Sequence, residues 1–301
     1  MKTKLSFIVT SVILLLLSAC GMTAVSGSRN IIEEARDVHG YSQVVFSAPG
    51  ELTIDQDGHE GLTIEADDNL LRYVQTRVRG NVLYIEIEPD MIQLYPSRPI
   101  RYALNADTLT RVALNGSGNI RADKLIASNL DFDLNGSGRI LIDTVKSQST
   151  DLNLNGSGAF QIESLITGRL TTSLYGSGDV FMQEAMAKTA TIQINGSANL
   201  RATDMIADTL NVTIYGSGDS TLSGKVNRQT IDIHGSGNYQ ARDLSSQVTE
   251  VKISGSGDSY IWVTDKLALA ITGSGDVSYR GRPDITQVIT GSGNLINLAM
   301  Q

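Results

Sequence analysis

The sequence predicts an all-β fold, a solenoid of parallel strands wound in coils of about twenty residues. Three observations carry this. The first is a tripeptide, Gly-Ser-Gly, that begins at Gly116, Gly136, Gly156, Gly176, Gly196, Gly216, Gly235, Gly255, Gly273 and Gly291, altered only in Gly196-Ser197-Ala198. Its spacings are 20, 20, 20, 20, 20, 19, 20, 18 and 18 residues. A unit this short cannot bury its own apolar side, so neighbouring units must cover it. The second is alternation of apolar and polar residues on both sides of the tripeptide, as in Leu130-Phe132-Leu134 and Ile140-Ile142. Period two is the strand signature. The third is that each period holds one strong turn signal, whereas a ladder of hairpins needs one at each end of every strand.

From its start, the chain opens on a targeting signal. Lys2 and Lys4 precede an apolar stretch from Phe7 to Leu17, too short to span a bilayer as a helix. Residues 1–19 read as the signal peptide. Leu17-Ser18-Ala19-Cys20 resembles the bacterial lipoprotein box, and Cys20 is the only cysteine, so no disulfide can form within one chain. The resemblance implies diacylglycerol on Cys20, cleavage before it, and attachment to the membrane through lipid alone. Gly21 in place of aspartate implies delivery to the outer membrane under the enteric sorting pattern. An ordinary secretion signal is the alternative.

Residues 20–38 are polar without strand alternation and read as a lipidated tether, with at most a helical turn at Ile31–Ala35. Residues 39–110 read as irregular N-terminal coils that cap the solenoid. Ala48-Pro49-Gly50 there stands in place of a Gly-Ser-Gly, Arg79-Gly80-Asn81 marks a turn between strands, and Asp68 to Leu71 reads as a loop. Residues 111–301 are the regular repeats, with a final strand ending at Leu298, so 39–301 form one β-helix. Leu114, Leu134, Leu154, Leu174, Ile194, Ile214, Ile233, Ile253, Ile271 and Ile289, each two residues before a tripeptide, should form one inward ladder. Both glycines of each tripeptide share that inward parity.

Three features together resemble the bacterial family labelled putative auto-transporter adhesin, head GIN domain. They are the opening from Val44 to Ile87 with Asp67-Asp68-Asn69-Leu70-Leu71, the Gly-Ser-Gly ladder, and Tyr279-Arg280-Gly281-Arg282-Pro283 ahead of the last tripeptide. The resemblance implies a single-stranded right-handed parallel β-helix on an envelope protein. It brings no catalytic or binding residues with it.

The net charge is −8, and loss of Lys2 and Lys4 with the signal takes it to −10. An acidic surface excludes nucleic acid as the expected partner. His39, His59 and His234 lack the spacing of metal ligands. Asp179, Asp219, Asp258 and Asp276 follow a tripeptide, but other coils carry Asn, Arg or Ala there, so no repeated calcium site is expected. No serine sits in a nucleophile elbow, and no phosphate-loop lysine follows a tripeptide. No cofactor or metal is expected.

The expected function is therefore not enzymatic: a lipid-anchored envelope protein whose β-helix presents a surface for binding or adhesion. The partner would be a glycan or protein at the cell surface. Two alternatives stand beside it, a self-associating structural scaffold and, further off, a β-helical polysaccharide lyase or hydrolase. The last would need a cleft walled by long irregular loops, and residues 111–278 have almost no insertions. Outward parity puts the residue before each tripeptide, its serine and the residue after it on one face. The candidate ligand-binding residues there are Tyr175, Asp179, Asn195, Asn199, Tyr215, Asp219 and His234. Rings beside carboxylates and amides suit sugars. Equally, such ladders solubilise a β-helix and knit its coils.

Overall fold

The computed structural model describes residues 23–298 other than Met91. The signal peptide and Cys20 lie outside the described residues. The chain is all-β, a β-solenoid of about nine turns.

The N-terminal part contains β1 (Thr23–Ser26), β2 (Ile31–Arg36), β3 (Gln43–Ser47), β4 (Glu51–Asp55), β5 (Gly61–Asp67), β6 (Val74–Arg79), β7 (Val82–Ile87), β8 (Ile92–Tyr95) and β9 (Arg101–Asn105). Two expectations fail here. From residue 23 the supposed tether is strand: β1 pairs in parallel with β8, and β2 pairs antiparallel with β5. Ile31–Ala35 is therefore extended, not a helical turn. Its sequence looks unstructured because β2 is an edge strand with no fully buried residue and shows little apolar alternation.

Asp67-Asp68-Asn69 is what fastens this segment. The Asp67 carboxylate is fully buried and accepts from Ser97 N–H at 2.8 Å, Ser97 Oγ at 2.7 Å and Arg29 N–H at 2.7 Å. Asp68 Oδ1 accepts from Ser28 Oγ at 2.5 Å, and Asn69 donates to the Ser26 carbonyl at 2.8 Å. Burial pushes the Asp67 carboxyl up, but the Ser97 and Arg29 donors outweigh it and hold it below the usual carboxylate range. The supposed loop at Asp68–Leu71 is a turn whose Leu70 and Leu71 are buried, running into a short 3₁₀ turn at Leu71–Tyr73.

The cap grows out of the solenoid. β3 and β4 form a coil beneath β10 (Arg111–Gly116) and β11 (Asn119–Ile126), and β7 and β9 lie beneath β3 and β4 in turn. Ala48-Pro49-Gly50 occupies the tripeptide position: Asn119 N–H donates to the Gly50 carbonyl, as Arg139 N–H does to that of Gly118. The antiparallel partners β6 and β5 then turn away from the parallel register and close this end.

The regular coils follow as β12 (Asn129–Gly136), β13 (Arg139–Lys146), β14 (Ser149–Gly156), β15 (Ala159–Gly176), β16 (Asp179–Ile194), β17 (Asn199–Ile214), β18 (Ser220–Ile233), β19 (Tyr239–Ile253) and β20 (Ser259–Ile271). They end with β21 (Val277–Arg280), β22 (Asp284–Ile289) and β23 (Leu295–Asn297), so the last strand stops one residue before Leu298. Each pairs in parallel with the strand one coil away.

The register puts Leu114 over Leu134, Leu154, Leu174, Ile194, Ile214, Ile233, Ile253 and Ile271, all essentially inaccessible. Phe46 and Ile85 continue the column into the cap. Its last expected member fails: Ile289 pairs with Ile271 but is 37% exposed. Among the described residues no further coil covers β22, whose six residues are all exposed.

The two glycines have different tasks, contrary to their shared parity. The second is inward: a Cβ on Gly138 would overlap the Gly118 carbonyl oxygen and lie 2.7 Å from Leu114 Cδ2. The first faces along the stack. Gly136 has φ +135° and is half-buried, and a Cβ there would strike the backbone of Gly116. The Gly116 carbonyl accepts from both Ser137 N–H and Gly138 N–H, a forked bond repeated up the ladder.

One polar cluster interrupts the core. Tyr239 is fully buried and donates to Gln229 Oε1 at 2.6 Å, and Gln229 donates to Ser246 and Thr249. Burial pushes the Tyr239 hydroxyl well above its ordinary pKa.

Candidate functional site

Of the predicted residues, Tyr175, Asp179, Asn199, Tyr215 and His234 are exposed, and Asn195 and Asp219 are half-buried. Ser177, Ser197, Ser217 and Ser236 are exposed, as are Tyr175 (47%) and Tyr215 (53%). The seven candidates divide into two columns, one on each side of the tripeptide.

The column after the tripeptide is a hydrogen-bonded ladder. Asn199 Nδ2 donates to Asp179 Oδ1 at 3.1 Å, and Asp219 N–H donates to Asn199 Oδ1 at 3.2 Å. The pattern continues with backbone N–H groups of Asn238, Asp258, Asp276 and Asn294, each donating to the side-chain oxygen one coil earlier. Asp and Asn alternate freely because either supplies the acceptor. From Asp179 onward this accounts for the Asp/Asn mixture at that position: it knits coils. Among the described residues, no three His, Cys, Asp or Glu side chains converge to hold a metal.

The column before the tripeptide begins as an asparagine ladder, Asn135 donating to Asn115 at 3.0 Å and Asn155 to Asn135 at 3.1 Å. It then becomes aromatic. Tyr175 sits above Asn155, followed by Asn195, Tyr215, His234 and Ser254 in successive coils. His234 stacks on Tyr215, and its Nδ1 is 3.0 Å from Ser254 Oγ. Asn195, between the tyrosine rungs, accepts from Gln193 at 3.4 Å, while its own Nδ2 is buried and makes no hydrogen bond. The row is thus two exposed phenol rings and an exposed imidazole, with a half-buried amide between the phenols. Such a row can stack against an apolar face and hydrogen-bond beside it.

The family model described as putative auto-transporter adhesin, head GIN domain, matches residues 40–204 and 194–283. The chain belongs to this family. Several solved structures are similar to this chain along nearly its whole length. One, titled a putative lipid binding protein from Parabacteroides distasonis, is 19% identical with a TM-score of 0.58, covering 92% of this chain and all of that one. Another, titled a putative adhesin from Parabacteroides merdae, is 18% identical with a TM-score of 0.55, covering 92% of this chain and 99% of the other. A third, a putative adhesin from Parabacteroides distasonis, is 20% identical with a TM-score of 0.53 over 91% of this chain and all of that one. No curated protein matches. At these identities the likeness is one of fold. The family match itself begins at residue 40, so the strands β1 and β2 precede it.

Sequence reasoning missed a second feature. The wall formed by β17, β18 and β19 is indented by a cleft of about 310 Å³ that includes Arg201, Thr221, Ser223, Gln240, Arg242 and Asp243. The signal was present in the spacing. The coil from Gly216 to Gly235 is one residue short, and the strand registers slip beside it, between Ala202 and Met205, Thr221 and Ser223, and Ala241 and Ser245.

Proposed function

We propose that this protein is a lipid-anchored component of the bacterial envelope, held at the outer membrane through Cys20, whose solenoid presents the Tyr175–Asn195–Tyr215–His234 row to a surface glycan. The observation that carries the reading is that row: two tyrosine rings about half exposed, set two coils apart, with the exposed His234 ring one coil beyond. The family's description as an adhesin head, and the relatives' titles as adhesins or a lipid binding protein, support a binding role over a catalytic one. Among the described residues no helix is long and apolar enough to cross a membrane, which is compatible with a lipid as the anchor.

The test has two arms. Tyr175→Ala with Tyr215→Ala should abolish binding on a glycan array and leave the melting curve nearly unchanged; wild-type binding by the double variant would remove this row from consideration. Cys20→Ser should release the protein from the membrane fraction, and normal fractionation would refute the anchor. Incubating the wild type with neutral and acidic polysaccharides, and finding new reducing ends or unsaturated products, would replace the binding role with the enzymatic alternative.

A second reading, self-association, is favoured by one observation. Val288 (59%), Ile285 (39%) and Ile289 (37%) are exposed on β22, a strand paired on one side only among the described residues. Sedimentation separates the two: a concentration-dependent dimer lost on Val288→Lys would support a scaffold role.

A further inference from the structure

We propose that the cleft across β17, β18 and β19 is a second binding site, selective for an acidic sugar of the uronate class. It lies on the strand after the tripeptide, and the argument is independent of the tyrosine row.

The cleft is built by the register slips. Opposite the residues between Thr221 and Ser223, β19 has additional residues, and Ala241 to Ser245 span a second slip against β20. Arg242, the surplus residue opposite β18, and Asp243, which pairs with Ser223, are both exposed. Arg201 borders the cleft two coils away and is also exposed. Among the described residues, neither guanidinium makes a salt bridge or hydrogen bond, in a protein with net charge −8. Two unneutralised arginines around one concavity on an acidic molecule call for an anion.

One of them is also held in place. The Arg242 guanidinium lies over the Tyr260 ring, 4.1 Å from its centroid, and on the next row Arg280 lies over Trp262 at 4.3 Å. Stacking restrains the plane of the guanidinium and leaves its N–H edge free for a bidentate carboxylate.

The remaining lining decides between anions. Thr221 and Gln240 offer hydroxyl and amide groups, the Ser223 hydroxyl is committed to the Thr203 carbonyl, and Asp243 offers a carboxylate. Asp243 would repel a bare phosphate or a densely sulfated chain, whereas it accepts well from the hydroxyls of a sugar ring. A mixed lining of cations, neutral donors and one acceptor matches a polyhydroxylated ring that bears a single carboxylate.

The experiment uses the full-length protein as processed by a bacterial host, titrated calorimetrically with trigalacturonate at low ionic strength. Its methyl ester, which keeps every ring hydroxyl and loses the charge, is the companion probe. Trigalacturonate is expected to bind, with weakening as salt rises because the arginines are exposed. The ester and the Arg201→Gln/Arg242→Gln variant should each lose about tenfold or more, the scale of one charge-assisted contact. Arg139→Gln, an exposed arginine on a distant coil, should bind as wild type. Equal binding of the ester, undiminished binding by the double variant, or no binding of trigalacturonate would overturn the proposal. So would capture of phosphatidylglycerol vesicles by wild type, lost in the double variant, without any response to trigalacturonate. Because Tyr175→Ala/Tyr215→Ala leaves this cleft intact, that variant should bind trigalacturonate normally, which distinguishes failure here from failure of the tyrosine row.

Discussion

The His234 ring lies flat on that of Tyr215, centroids 4.9 Å apart and planes within 9°. The two residues sit in successive coils, so the stack repeats the interstrand spacing. One face of Tyr215 is consequently covered by protein.

This pair should contribute about 0.5–1.5 kcal/mol beyond simple burial. His234→Ala and Tyr215→Ala combined in a double-mutant cycle should show a coupling of that size in chemical denaturation. Additive effects would mean that the rings merely coincide.

The two ends of the apolar column should respond differently to the same change. Ile194 is inaccessible, and Ile194→Asp should cost on the order of several kcal/mol for an unpaired buried charge. Ile289→Asp, at 37% exposure on the last coil, should shift the melting temperature little. Equal effects in thermal melts would refute the open end.

Gly178 has no room for a side chain: a Cβ there would overlap the Gly158 carbonyl oxygen and come within 2.8 Å of Leu154 Cδ2. Gly178→Leu should destabilise by at least ~1–3 kcal/mol, the usual cost of overpacking. Ala198, the one natural departure, is wholly buried, and Ala198→Gly should be mild. Leu tolerated at Gly178 in a thermal melt would contradict the inward assignment.

Asp67 gives a pH-dependent test. Its folded pKa lies below the unfolded value, so its contribution is fully present above the unfolded value of about 4 and fades as pH falls through the folded one. Asp67→Asn places an amide N–H₂ among the Ser97 and Arg29 donors, at a cost of about 1–3 kcal/mol near neutral pH. The gap between variant and wild type should narrow on acidification below that value. A constant gap down to the acid transition would show that the carboxylate charge is irrelevant there.

How far the sequence reveals this molecule depends on where a residue's partner lies. Leu134 or Ile194 could be assigned because its partner is its own copy one period away, and a stack of copies is encoded in the spacing itself. Asp179 could be placed outward on the same grounds. Its role as an acceptor for the next coil required the geometry of Asn199. β2 could not be read, because its partner β5 lies beyond the whole β3–β4 coil and its exposed face leaves no alternation. The cleft is intermediate. Its position is marked by the short 19-residue period, but a missing residue does not say which side chains are pushed outward.

The closed and open ends give the solenoid a direction. Near the N-terminus, antiparallel β5 and β6 lock the stack, and rungs there can leave only if long-range pairings break together. Among the described residues, β22 and β23 are each held from one side alone. Among the described coils, fraying is therefore expected to begin at β22 and β23 and run inward one coil at a time. A load applied at the far end of an N-terminally held molecule would peel coils in sequence rather than unfold the whole, so the chain could lengthen under tension and rewind when released.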